Sequence, residues 1–323
     1  MFLMEKIKRV GATKVLREKI TSRVFLYDAM SALLNGTDRT STELIRLGEI
    51  NRVKKRLSKK YHKIITRPLS EEKSQGIQDE SKIIWTSWLQ GEEAAPEVVK
   101  LALESIQRKY GKENTRVISA ENFSDYITLP TWIVDKWQNG TISNAHFSDI
   151  LRTSLLVKYG GIWIDGTVFI GNRTSWITKT IENADFFFFQ NMRPGSMGNA
   201  IFLSSWFLKS KKNNPVLVRL QELLSTFWNK EKNIQDYFLF HIFLHLIFEA
   251  HPEELAKVPK IPNSLALELM YTLNDEIDSE EINRILNVCE YQKLTYKNLK
   301  EAPNSTFLTL KHMFNNAEQE GRA

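Results

Sequence analysis

From about residue 81 onward the sequence predicts an α/β fold, a mostly parallel sheet flanked by helices, and three observations carry that prediction. Short apolar runs rich in β-branched and aromatic residues recur along the chain, such as KIIWTSW at 82–88 and FFFF at 186–189. Between them apolar residues return at three- and four-residue steps, the spacing of a helix with one buried face. Glycines and polar clusters mark the boundaries, so strands and helices alternate as they do in βαβ units. With 323 residues and 42% hydrophobic content, the chain has enough apolar material for a substantial core.

Taken in order, residues 82–88 form the first strand. Residues 95–110 form a helix, with Pro96 in its first turn, where a missing N–H is not needed, and Gly111 just past its end. A second strand is expected at 115–119. Residues 143–158 form a helix that Gly160-Gly161 stops, because glycine accepts backbone angles other residues resist. Strand pieces follow at 162–165, 167–170 and 184–190, the last with FFFF as a central strand. From Asn214 the pattern becomes mostly helical.

Residues 1–80 have a different texture and read as a basic helical arm. They hold 18 Lys/Arg against 10 Asp/Glu, whereas the rest of the chain holds 26 against 28. The net charge of +6 is therefore regional. Ile7, Val10, Val15, Leu16, Ile20, Val24 and Leu26 fall near helical spacing, and 38–42 offers capping residues ahead of Leu44, Ile45, Leu47 and Ile50. The cluster KKRLSKK at 54–60 closes the arm, and the polar stretch 70–81 is the expected boundary with a domain over 81–323. A basic arm suits an anionic membrane surface or nucleic acid. Few aromatics and no zinc or helix-turn-helix spacing argue against nucleic acid.

A single cysteine, Cys289, excludes an intrachain disulfide. The start lacks an apolar stretch of signal-peptide length, and no run reaches the roughly 18 to 20 apolar residues of a membrane-spanning helix. The expected location is cytoplasmic, with peripheral contact at the inner face of the cell membrane through 1–80.

The segment at 148–167, SDILRTSLLVKYGGIWIDGT, carries the chemistry. Asp149 and Arg152 are three apart and share one helix face. The strand after Gly161 delivers Asp165 to its carboxyl end, where open α/β sheets bind ligands. A strand-end carboxylate beside Gly166 suits a divalent cation held together with phosphates. Arg152 suits a diphosphate or a sugar hydroxyl as a fixed cation, and Asp149 can accept hydrogen bonds from sugar or ribose hydroxyls. The same spacing also fits a surface Asp–Arg pair and a plain Asp-Gly turn, so the residues alone leave both readings open.

S-D-I-L-R followed by K-Y-G-G-I-W-I-D resembles the core signature of DXD-type glycosyltransferases with the GT-A fold, and more narrowly the bacterial capsular polysaccharide synthesis glycosyltransferases, relatives of α-mannosyl and α-galactosyl transferases. I-W-T-S-W-L-Q-G at 84–91, A-H-F-S-D-I-L-R at 145–152, D-Y-F-L-F-H at 236–241 and K-L-T-Y-K at 293–297 are similar in the same order. The resemblance implies a GT-A type, Rossmann-like sheet. It implies transfer of a sugar from a nucleotide-diphosphate donor, a UDP-sugar first among candidates, to a hydroxyl of a lipid-linked polysaccharide intermediate. It further implies retention of configuration and assistance by Mn²⁺ or Mg²⁺.

Position by position, Trp85 matches the aromatic beside the nucleotide base, and Asp149 and Arg152 the pair that holds the donor sugar and diphosphate. Asp165 matches the first Asp of the DXD motif. The third DXD position is Thr167, which puts two-carboxylate metal binding in doubt and leaves Thr167 to act through water and His241 as a further ligand. Asp236 and His241 are placed on the acceptor side, Trp206 against a sugar, and Lys297 near the diphosphate. Each has a structural alternative. Asp236 suits a helix N-terminus, His241 and His245 suit a buried helix, Trp206 suits the core and Lys297 suits the surface. Thr167 also motivates a rival function, a nucleotide-sugar-binding protein without catalysis.

Overall fold

The structure, a computed structural model, describes residues 12–69, 82–192, 201–299 and 302–320. Its strands are β1 (Ile84–Ser87), β2 (Thr115–Ile118), β3 (Gly161–Ile164), β4 (Val168–Ile170), β5 (Phe186–Gln190), β6 (Leu203–Ser210) and β7 (Tyr291–Lys293). The main sheet has the order β2-β1-β3-β6-β5. β1 runs parallel to β2 and β3, while β6 is antiparallel to both β3 and β5, so β6 alone is reversed. β4 and β7 form a separate antiparallel pair. The α/β expectation therefore holds, with a mostly parallel sheet between helices.

Helices α1 (Ala12–Thr21), α2 (Phe25–Asn35) and α3 (Arg39–Ile65) precede the sheet. α4 (Glu97–Tyr110), two short helices α5 (Phe123–Tyr126) and α6 (Thr131–Gln138), α7 (Asn144–Tyr159) and α8 (Trp176–Glu182) alternate with strands. α9 (Pro215–Lys230), α10 (Leu239–Ala250), α11 (Pro252–Ala256), α12 (Glu268–Thr272), α13 (Ser279–Val288) and α14 (Thr306–Glu320) make the mostly helical remainder.

Both faces of the sheet are covered, which is why its strands read as continuous apolar runs. β5 shows the rule. Phe186 and Phe188 point into one core with α3, α7, α9 and α10, while Phe187 and Phe189 point into the other with β4, α8 and Tyr291. Burial on both sides makes FFFF resemble a central strand, yet β5 lies at the sheet edge. β6 and β7 are not among the expected strands: β6 lies between its chain neighbour β5 and the earlier β3, and β7 pairs with the distant β4.

Within the basic stretch, α3 packs into the main core and does not stand apart from it. Asp38 caps α3 by accepting from the N–H groups of Thr40 and Ser41, as its sequence position suggested. Ile50, Val53, Leu57, Tyr61 and Ile65 of α3 then enter the same core as α9 and α10. Each such side chain contributes about 1.5–3 kcal/mol through burial. Arg219 on α9 donates to the carbonyls of Arg67 (2.7 Å) and Pro68 (3.1 Å) just past the end of α3. The boundary expected at 70–81 lies outside the described residues, as do Ile7 and Val10. Among the described residues no helix is long and apolar enough to cross a membrane.

Candidate active site

The site forms where the carboxyl ends of β1 and β3 meet α7, α10 and β7. Two glycines make the approach possible. Gly160, at φ +70°, ends α7 so tightly that a Cβ there would lie 2.7 Å from the Lys212 nitrogen. A Cβ on Gly166 would lie 3.0 Å from the Ser87 carbonyl, so glycine lets the turn after β3 press against the end of β1.

Asp165 follows β3 directly, its N–H bonded to the Trp206 carbonyl at 2.8 Å. Its Oδ1 accepts from the Trp163 indole N–H at 2.9 Å and lies 3.3 Å from Arg152 Nη2. Its Oδ2 accepts from Lys293 Nζ at 2.8 Å, and the same ammonium donates to Thr167 Oγ1 at 2.5 Å. Although burial opposes ionisation, Lys293 and Arg152 hold the Asp165 carboxyl below its usual range.

Arg152 is fixed by its surroundings. It donates through Nη1 to the Ser205 carbonyl at 2.5 Å, and its guanidinium lies over the Trp163 and Phe240 rings at 5.0 and 5.7 Å. Asp149 Oδ1 is 3.6 Å from Arg152 Nε, which confirms the shared helix face. Burial, reinforced by the charge of Asp165 and only partly offset by Arg152, pushes the Asp149 carboxyl up to about 7. His241 reaches the same cluster. Burial first, then Arg152, push its imidazole down to about 3, and its Nδ1 is buried without a hydrogen-bond partner. The arrangement therefore presents two fixed cations, one ionised carboxylate, one half-protonated carboxyl and a neutral imidazole. That balance accepts an anion.

Several expected site residues lie elsewhere. Trp85 is 1% exposed, its indole N–H given to the Gly160 carbonyl at 3.0 Å, so it has no free face for a base. Trp206 stacks on Phe189 at 4.7 Å and donates to Asn263 Oδ1 at 2.9 Å, making it a core residue. Asp236 is locked bidentately by Arg46, both contacts at 2.8 Å, and caps the Phe238 N–H. It joins α3 to the start of α10 and does not face the cluster as a reactive group. His245, one turn after His241, turns to α3, where its Nε2 is 3.1 Å from Lys54 Nζ. Lys297 is exposed, in a turn whose N–H bonds Thr295 Oγ1.

The lysine that does reach the cluster is Lys293. β7 pairs with β4 so that Lys293 lies opposite Val168, and the Leu294 N–H bonds the Thr167 carbonyl at 2.7 Å. The K-L-T-Y-K segment contains this lysine, whereas Lys297, the one expected near the diphosphate, is exposed. An aromatic rim was also missed. Tyr237 is 60% exposed and feels the charges of Asp149 and Asp165, with Tyr296 beside it. Tyr296 packs edge-on against Trp88 at 5.4 Å, and Trp88 Nε1 is buried without a partner. Trp88 stands just beyond the carboxyl end of β1, the place the sequence assigns to Trp85.

The expected divalent cation does not fit this donor set. Both oxygens of Asp165 and the Thr167 hydroxyl are already engaged by N–H donors, two of them cationic. Among the described residues no group of three His, Cys, Asp or Glu side chains is arranged to hold an ion.

Fold and site together define an α/β protein with an anion-accepting cluster at its strand ends. Residues 38–311 match the capsular polysaccharide synthesis protein family, and the chain belongs to that family. It is 26% identical over 195 residues to the O-glycosyltransferase braB of Annulohypoxylon truncatum, covering 55% of this chain and 45% of that protein. It is 25% identical over 207 residues to the O-glycosyltransferase PaGT of Phomopsis amygdali, covering 57% and 50%. The chain thus spans about half the length of the curated relatives it matches. A solved structure, the PaToxG glycosyltransferase, is similar at TM-score 0.35 and 16% identity, over 74% of this chain and 98% of that one.

Proposed function

We propose that the chain is a glycosyltransferase that moves a sugar from a nucleotide-diphosphate donor, a UDP-sugar first, to a hydroxyl of a lipid-linked saccharide. The observation that carries this reading is the meeting of Arg152 and Lys293 on Asp165 at the strand ends. In the transfer, the bond from the anomeric carbon to the diphosphate breaks and its electron pair leaves with the diphosphate. The acceptor oxygen bonds that carbon, and its proton passes to the released diphosphate. Charge grows on the leaving group, so a preorganised guanidinium beside it lowers the barrier. Asp149, half-protonated near neutral pH, is suited to exchange hydrogen bonds with sugar hydroxyls. Trp88 and Tyr296 offer ring surface for the base. The names of the fungal relatives support glycosyl transfer, and retention of configuration follows the resemblance drawn above.

Purified protein screened with nucleotide sugars tests this directly. Turnover of one donor is expected, with Asp165→Ala and Arg152→Ala slower by roughly 10²–10³-fold. Binding without turnover in every acceptor tried would favour the inactive-binder reading that Thr167 raised. Variants as active as the wild type would end the assignment of the site.

A lipid-linked acceptor calls for a membrane-facing surface. Leu26, Met30, Leu33 and Leu34 of α2 are 64–85% exposed, and the exposed cations Arg17 and Arg23 precede them in α1 and the turn that follows it. Apolar side chains accompanied by cations suit an anionic lipid surface. Sedimentation with phosphatidylglycerol vesicles should recover the wild type, and Leu33→Ser/Leu34→Ser should weaken binding roughly tenfold. Equal recovery of both proteins would remove the membrane from the proposal.

A further inference from the structure

We propose that the Lys293 ammonium takes the place of the divalent cation in this site, so that donor binding and transfer need no metal. This rests on the reading of the site as a sugar-nucleotide transferase. Three features of the structure support it.

The first is position. Lys293 Nζ bridges Asp165 Oδ2 and Thr167 Oγ1, the two residues of the D-x-T motif to which the resemblance assigns the cation. An ammonium has three protons, and these two contacts leave one to offer a phosphate oxygen. The side chain is 20% exposed, so its head is within reach of a ligand.

The second is charge. Asp165 already answers to Lys293 on one oxygen and to Arg152, at 3.3 Å, on the other. A divalent ion sharing that carboxylate would be placed between two fixed cations, with one carboxylate to offset them. Lys293 and Arg152 together bring two positive charges against Asp165 and the partly ionised Asp149, a net excess that favours a diphosphate.

The third is the motif itself. A second carboxylate at position 167 would favour a divalent ion, whereas a hydroxyl suffices to accept one N–H from an ammonium. Thr167 is therefore the better match to Lys293. The two are held in register by the β4–β7 ladder, in which Val168 pairs with Lys293. The lysine is thus delivered to the motif by backbone geometry and not by a flexible loop.

Calorimetric titration of UDP into full-length wild type, once in EDTA and once in Mn²⁺, tests the inference. The expected result is the same affinity in both within about twofold, with donor turnover persisting in EDTA. Lys293→Ala should weaken UDP binding by at least about tenfold in EDTA, and Lys293→Arg should retain part of it. The inference is overturned if wild type binds UDP only with Mn²⁺, or if Lys293→Ala binds as wild type does. In either case the transferase reading survives. If no nucleoside diphosphate binds in either condition, the donor reading falls and takes this inference with it. The wild-type comparison decides the matter even if a variant fails to fold.

Discussion

Two of the arginine–carboxylate clusters among the described residues differ in a way that separates structure from site. At the junction of α3 and α10, Arg46 meets Asp236 through two contacts of 2.8 Å and Glu49 through a third at 2.8 Å. Asp236 has only 3% of its side chain exposed. In the other cluster, Arg152 gives its shortest bond to a backbone carbonyl and stays 3.3 and 3.6 Å from Asp165 and Asp149. Asp165 keeps 25% of its side chain exposed. In the first cluster Arg46, Asp236 and Glu49 are all paired within the chain, although beyond them Asp28, which shares Lys19 with Glu49, is itself pushed up to about 7 by burial. The second leaves positive charge in excess, a carboxyl pushed to about 7 and an imidazole nitrogen without a partner. Unspent electrostatic capacity of this kind gathers where a ligand is to be bound.

The contrast breaks most sharply under arginine removal. Arg46→Ala should cost about 3 kcal/mol of stability, because it strands the buried Asp236, while turnover by the folded protein stays near wild type. Arg152→Ala should do the reverse, since Asp165 keeps Lys293 and Trp163 while the leaving diphosphate loses its guanidinium. Denaturant melts set beside donor turnover would expose an error if both variants lost the same property.

A finer test uses the Asp149 carboxyl. Its folded value of about 7 lies above the value near 4 of an unfolded chain, so the folded protein keeps a proton the unfolded chain has released. Stability should therefore fall as pH rises from about 4 to about 7, and the full cost should persist above 7. Asp149→Asn removes that cost, which amounts to at most ~4 kcal/mol. Its melting temperature should exceed that of wild type at pH 8 and converge with it near pH 4. A gap independent of pH would mean Asp149 is ionised in the folded protein.

Much of this was legible along the chain. The GGIWID run placed Asp165 at a strand end, and three-residue spacing placed Asp149 and Arg152 on one face, because both depend on local backbone periods. Trp85 and Trp206 misled for one shared reason. An aromatic in a strand is equally suited to stacking on a ligand and to filling a core, and only packing decides which. Asp236 misled because its partner, Arg46, stands 190 residues earlier.

The sequence by itself determined the α/β alternation, the glycine stops at Gly111 and Gly160, the cap at Asp38 and the grouping of Asp149, Arg152 and Asp165. Each rests on interactions within a few residues, where composition and period suffice. Tertiary structure alone decided that α3 of the basic stretch enters the core and that Lys293, 128 residues from Asp165, joins the charged cluster. Long-range pairing such as the β4–β7 ladder depends on which distant surfaces fit together, and no local period records that.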